Sequence, residues 1–128
     1  MKKIAIDSNI AIDIFNEVAD TIEATSKFTS LYLPVTVAGE ILYGAKNSQK
    51  KSYNLRKVKK FISDCKELRI SNSTADIYST IKFSLKQKGK PIPENDIWIA
   101  AICKENKIPF MTKDKHFENI EGLKLVKI

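Results

Sequence analysis

Short apolar runs that recur between helix-length stretches constrain this chain more than any other feature. Ile4-Ala5-Ile6, Leu31-Tyr32-Leu33, Leu68-Arg69-Ile70 and the run over 108–111 are each too short for a buried helix and suit strands. A further strand is expected over 123–126. The segments between them carry helical periodicity. Helices are expected over 10–15, after the N-capping types Asp7, Ser8 and Asn9, and over 18–28. Pro34 stops the second strand, and a helix follows from 36 to 45. Leu55, Val58, Phe61 and Ile62 share one side of a helix over 52–65. Helices over 73–88, ended by Gly89, and over 96–105, after a loop at 91–95, complete the pattern. Strands alternating with helices imply one α/β domain spanning residues 1–128: a parallel sheet of about five strands, with helices on both faces.

Bulk properties narrow the function. A length of 128 residues buries a core without staples. The two cysteines, Cys65 and Cys103, are far apart and form no CxxC pair, which leaves structural zinc and dithiol redox chemistry unsupported. Free thiols of this kind suit a reducing cytoplasm. Asp7 and Asn9 interrupt the apolar stretch after Met1-Lys2-Lys3, so a signal peptide is rejected, and no apolar run approaches the ~20 residues of a membrane span. The net charge of +7 favours a polyanionic partner.

Four acids stand out from the fifteen by position. Asp7 follows the first strand and Asp114 lies just past the fourth, and ligands of open parallel sheets bind at the carboxyl ends of strands. Asp96 is in the first turn of its helix, where an acid also serves as a cap. Glu40 projects from the flank of the apolar face formed by Val37, Ala38, Ile41, Leu42 and Ala45. Gly39 and Gly44 each cost roughly 1 kcal/mol within a helix, which suggests a close approach beside Glu40. Clustered carboxylates repel one another, and a divalent cation reverses that balance. Mg²⁺, or Mn²⁺ in its place, takes such oxygen ligands and activates water for attack on a phosphodiester. A lone histidine, His116, cannot supply the acid–base pair of a metal-free ribonuclease, and is expected to be a loop residue or a weak RNA contact.

Basic residues supply the complementary charge. Lys46, Lys50, Lys51, Arg56, Lys57, Lys59 and Lys60 fall in a stretch without an acid, and Lys82, Lys86 and Lys90 recur at helical spacing. A phosphate track is the functional reading, a solvated helix face the bland one. Lys46, Lys50, Lys51 and Arg56 are the candidate RNA contacts. Tyr43 and Tyr53 are read as partly core, Trp98 as core or dimer interface, Asp13 as solvated and Cys103 as core filler.

Taken in order, Ile6-Asp7-Ser8-Asn9, Gly39-Glu40-Ile41-Leu42-Tyr43-Gly44-Ala45, Asn95-Asp96-Ile97-Trp98-Ile99-Ala100-Ala101 and Thr112-Lys113-Asp114-Lys115-His116-Phe117 resemble the motifs of PIN-domain nucleases, most of all the VapC-type toxins of toxin–antitoxin pairs. The resemblance implies a three-layer α/β/α sandwich. It implies that Asp7, Glu40, Asp96 and Asp114 bind metal and carry catalysis, with Asn9 and Thr112 as supporting polar residues. It also implies a cytoplasmic, homodimeric Mg²⁺-dependent endoribonuclease that cuts structured RNA such as tRNA. Its partner would be a cognate antitoxin, and it would touch DNA only through that partner. Some relatives carry a further acid near the position of His116. The rival readings are a non-catalytic PIN scaffold that binds RNA or protein, and a solitary RNA-processing nuclease. A haloacid-dehalogenase-type phosphatase needs an acid where Asn9 stands, and a flap nuclease needs a longer chain.

Overall fold

The computed structural model describes residues 2–128. Five parallel strands form one sheet in the order β3-β2-β1-β4-β5. The elements run β1 (Lys3–Ile6), α1 (Ser8–Phe15), α2 (Ala19–Ser26), β2 (Ser30–Pro34), α3 (Val35–Lys46), α4 (Lys51–Asp64), β3 (Lys66–Leu68), α5 (Asn72–Gln87), α6 (Glu94–Glu105), β4 (Phe110–Met111), a 3₁₀ helix (Lys115–Asn119) and β5 (Leu125–Val126). The chain winds outward from β1 to β3, then crosses back to β4 on the other side of β1. Right-handed crossovers in opposite directions put helices on both faces, giving the expected three layers. The reversal between β1 and β4 is a topological switch point, where a crevice opens at the strands' carboxyl ends.

The centre of the sheet is dry. Ile4, Ala5 and Ile6 of β1 and Phe110 and Met111 of β4 are fully buried, as a central parallel strand covered on both faces requires. Helix α6 is also enclosed: Ile97, Ile99, Ala100, Ala101, Ile102 and Cys103 are all buried. A helix apolar around most of its circumference belongs in a core, and its rigidity fixes the direction of its first turn. Hydroxyls of Ser71, Ser73 and Thr74 at the start of α5 donate to Glu105 at the end of α6, tying the two helices together. Phe117 of the 3₁₀ helix is fully buried and meets Phe110 edge to face, with ring centroids 4.9 Å apart. That contact holds the segment after β4 against the sheet.

Several boundaries differ from expectation. The third strand lies over Lys66–Leu68, two residues earlier than its apolar signal suggested. As the edge strand it is set by register with β2, where Tyr32 faces Lys66 and Pro34 faces Leu68, so Lys66 and Glu67 sit in it exposed while Ile70 falls outside. Helix α6 starts at Glu94 rather than at 96, because Pro93 takes the N-cap position and its carbonyl accepts from the Asp96 and Ile97 amides. Tyr43 and Tyr53 are 69% and 56% exposed, so neither is core. Trp98 is half-buried and stacks on Tyr78 at 4.0 Å between centroids. Cys103 is fully buried, as expected. No helix among the described residues is long and apolar enough to cross a membrane.

Candidate active site

The switch-point crevice is built from the chain segments that follow β1 and β4. Ile6 pairs with Met111 in register, so the next residues, Asp7 and Thr112, leave the sheet side by side. Asp7 is 4% exposed and caps α1 by accepting from the Ser8 amide at 2.8 Å. Its Oδ2 accepts from the Thr112 hydroxyl at 2.6 Å and from Asn9 Nδ2 at 3.3 Å. Thr112 Oγ1 in turn accepts from the Asp114 amide at 3.0 Å, and Asn9 Oδ1 accepts from the Lys113 amide at 3.2 Å. Asn9 and Thr112 therefore join the two segments.

The other acids arrive from helices. Glu40 sits on α3, and its Oε1 is buried without a hydrogen-bond partner. Asp96 is the third residue of α6. Its carboxylate does not cap the helix: it accepts from, or pairs with, His116 Nδ1 at 3.1 Å. Asp96 still lies in the first turn of α6, where its charge also meets the helix dipole. Asp114 caps the 3₁₀ helix, accepting from the His116 amide at 2.9 Å, and its Oδ1 lies 3.0 Å from His116 Nδ1.

Like charge links the acids in pairs: Glu40 and Asp96 act on Asp7, and Asp114 acts on Asp96. Burial pushes the Asp7 carboxyl up from 3.8 to about 6, the Thr112 and Ser8 hydrogen bonds oppose the rise, and the charges of Glu40 and Asp96 add to it. Burial likewise raises Asp96, against the bond to His116, and the Asp114 charge raises it further. The chain thus holds carboxylates where water is scarce and like charge is near, with one buried oxygen left bare. An unpartnered buried oxygen costs about 1–3 kcal/mol unless a ligand satisfies it. Oxygen donors in this arrangement fit a hard divalent cation, for which Asp7, Glu40, Asp96 and Asp114 are the candidate ligands.

Two side chains, His116 and Asp13, and the glycines of α3 depart from expectation. His116 lies in the 3₁₀ helix rather than in a loop. Its ring joins Asp96 and Asp114, and the ligand atoms of all three lie within 4.8 Å of one another. The available signal was Asp114 two residues before His116, a spacing at which an aspartate folds back on the following backbone. Asp13 is not solvated: it accepts from the Thr21 hydroxyl at 2.7 Å and pairs with Lys113. Gly39 and Gly44 admit no neighbouring chain, since a Cβ at either would meet nothing within 4 Å. Gly44 instead lines, with Glu40, Phe15, Asn54 and Lys57, a pocket of about 380 Å³ beside the acids. Lys46, Lys50, Lys51 and Arg56 are exposed, without an ion pair among the described residues.

The PIN domain family model matches residues 4–123, nearly the whole chain. The chain belongs to the PIN-domain family. This PIN domain is 28% identical over 123 residues to a protein named ribonuclease VapC2 from Rickettsia felis, covering 92% of each chain. It is 29% identical over 130 residues to a ribonuclease VapC2 from Haemophilus influenzae, covering 97% of this chain and 96% of that one. Among solved structures, it superposes on DNA-bound VapBC from Salmonella typhimurium with a TM-score of 0.90 at 26% identity, covering 99% of this chain and 98% of that one. VapBC2 from Rickettsia felis, bound to a promoter DNA fragment, gives a TM-score of 0.86 at 26% identity, with 98% of each chain covered. These PIN-domain neighbours share the five-stranded α/β/α architecture from end to end.

Proposed function

We propose that this chain is a metal-dependent endoribonuclease, the toxin of a type II toxin–antitoxin pair, with Asp7, Glu40, Asp96 and Asp114 as its metal-binding and catalytic acids. The observation that carries the reading is the bare, buried Oε1 of Glu40 beside an Asp7 carboxyl that burial and like charge have raised to about 6. A fold gains nothing from that arrangement alone. VapC ribonucleases and VapBC complexes at 26–29% identity support the same class of activity and an antitoxin partner.

A divalent ion, Mg²⁺ or Mn²⁺, supplies Lewis-acid polarisation of the phosphodiester and water of lowered pKa when bound. The protein's part is orientation. Thr112, Asn9 and the Ser8 amide fix the plane of the Asp7 carboxylate, and the enclosed helix α6 fixes Asp96. With such an ion held by the four acids, water would add to phosphorus in line as the P–O bond to the ribose oxygen breaks, the water's proton passing to that departing oxygen. Lys46, Lys50, Lys51 and Arg56 hold the flanking phosphates. Lys50 and Lys51 stand at the N-terminus of α4, where cations oppose the helix dipole, so their placement favours an anionic partner over the fold itself. The substrate is structured RNA such as tRNA. The toxin acts as a homodimer in the cytoplasm, and contact with DNA runs through the antitoxin.

The test is cleavage of total RNA by the purified protein with Mg²⁺ or Mn²⁺. Defined products are expected, absent with EDTA and absent in Asp7→Asn. Cleavage that persists in both would overturn the carboxylate–metal reading.

A further inference from the structure

Resting on the reading of this crevice as a metal centre, we propose that His116 is itself a metal ligand through Nδ1, and that it tunes the Asp96–Asp114 side of the site toward first-row transition ions such as Mn²⁺ over Mg²⁺.

The argument begins with spacing. Two ligand atoms about 2.1 Å from an octahedral ion and at right angles lie about 3 Å apart. His116 Nδ1 is 3.1 Å from Asp96 Oδ2 and 3.0 Å from Asp114 Oδ1. The third pair, Asp96 with Asp114, lies within 4.8 Å, so at most a few tenths of an ångström of side-chain adjustment brings all three donors to one ion. In the metal-free site Nδ1 carries a proton toward the two carboxylates; with that proton released, or the ring proton on Nε2, the Nδ1 lone pair faces the same oxygens' shared space without a large movement of the ring.

The imidazole is also held in place. Phe117, the next residue, is fully buried against Phe110, and the His116 amide donates to the Asp114 carboxylate. The backbone on both sides of the ring is therefore fixed to β4 and to Asp114. Ligand through Nδ1 leaves Nε2 to carry the ring proton, and the half-exposed side chain lets water accept from it.

Chemistry then separates the metals. Mg²⁺ takes oxygen donors and keeps its waters. A nitrogen donor adds little for Mg²⁺, whereas affinity for an N/O site rises along the first-row series from Mn²⁺ upward, with Mn²⁺ gaining least of that series. Asp7 and Glu40 offer oxygen only, so the preference is local to the Asp96–Asp114 side.

His116 is the single histidine of the chain, which makes the test direct on untagged protein. Mn²⁺-loaded protein is examined by pulsed electron paramagnetic resonance for coupling to imidazole nitrogen, and Mn²⁺ and Mg²⁺ affinities are measured by titration calorimetry. Nitrogen coupling is expected in the natural protein and absent in His116→Ala and His116→Gln. Both variants are expected to lose about tenfold in Mn²⁺ affinity, with the Mg²⁺ affinity unchanged and folding checked by thermal melting. Mn²⁺ bound tightly without nitrogen coupling overturns the role of His116 and leaves the nuclease reading standing. Failure of the natural protein to bind either ion, with RNA cleavage persisting in EDTA, overturns both.

Discussion

The Thr112 hydroxyl donates a 2.6 Å hydrogen bond to Asp7 Oδ2 across 105 positions of sequence, and accepts the Asp114 amide at 3.0 Å. One side chain thus orients the acid after β1 and the loop after β4. Thr112→Val keeps the shape and removes both interactions. A loss of about 1–3 kcal/mol in urea unfolding is expected, because the Asp7 carboxylate and the Asp114 amide are left short of a partner. RNA cleavage should fall alongside, and Thr112→Ser should recover much of both. Wild-type behaviour in the valine variant would mean the bond is idle.

Asn9 bridges the same two segments through Asp7 and the Lys113 amide. Because it orients an acid rather than meeting substrate, Asn9→Ala is expected to weaken Mn²⁺ binding about 10–100-fold. Calorimetric titration reads this directly. An unchanged affinity would leave Asn9 a structural residue only.

The pH dependence of the metal-free protein follows from Asp7. Its folded pKa lies above its ordinary value, so the protonated form is favoured in the fold. The associated stability is fully present below about 3.8 and is lost as pH rises through about 6. That difference corresponds to roughly 3 kcal/mol for a group as buried as this one. Asp96, also raised, acts in the same direction. Glu105 and Asp13 are lowered by their hydroxyl and lysine partners, and their stabilisation disappears only below about 4.5 and 3.8. In EDTA the melting temperature is therefore expected to be higher at pH 5 than at pH 7.5, and Asp7→Asn should flatten that difference. A melting temperature that rises over this window would contradict the burial of a charged Asp7.

Thr36 Oγ1 is buried without a partner, one helical turn before Glu40. Thr36→Val removes a polar atom that the metal-free fold leaves unsatisfied. A gain of about 1 kcal/mol in chemical denaturation is expected. A clear loss would show that the hydroxyl is satisfied in solution.

Neutralising Lys50, Lys51 and Arg56 together should weaken RNA binding uniformly across sequences. The slope of log affinity against log salt should shrink by about two to three, from roughly 0.7 per lost phosphate contact on single strands to roughly 0.9 on duplex stems. Measurement in EDTA separates binding from cleavage. An unchanged slope would return these residues to the role of a solvated face.

Much of the fold was legible because it depends on local periodicity. Ile4-Ala5-Ile6 suited a covered strand, and the alternation with helical stretches pointed to a parallel sheet. Asp7 was legible for the same reason, since it ends that strand. The third strand was misplaced by two residues because an edge strand takes its position from backbone register rather than burial.

The remainder was decided in space. Sequence alone determined that four acids, one histidine and a basic stretch exist, and that two of the acids follow strands. The order β3-β2-β1-β4-β5 decided that those two strands are neighbours, and so that Asp7 and Asp114 share a crevice. Whether Asp96 caps its helix or faces His116, whether Asp13 is free or bound to Lys113, and whether Gly44 admits a neighbour or opens a pocket were settled only by packing. Such contacts join residues up to about a hundred positions apart, and their energies depend on separations of a few ångströms that no local pattern encodes.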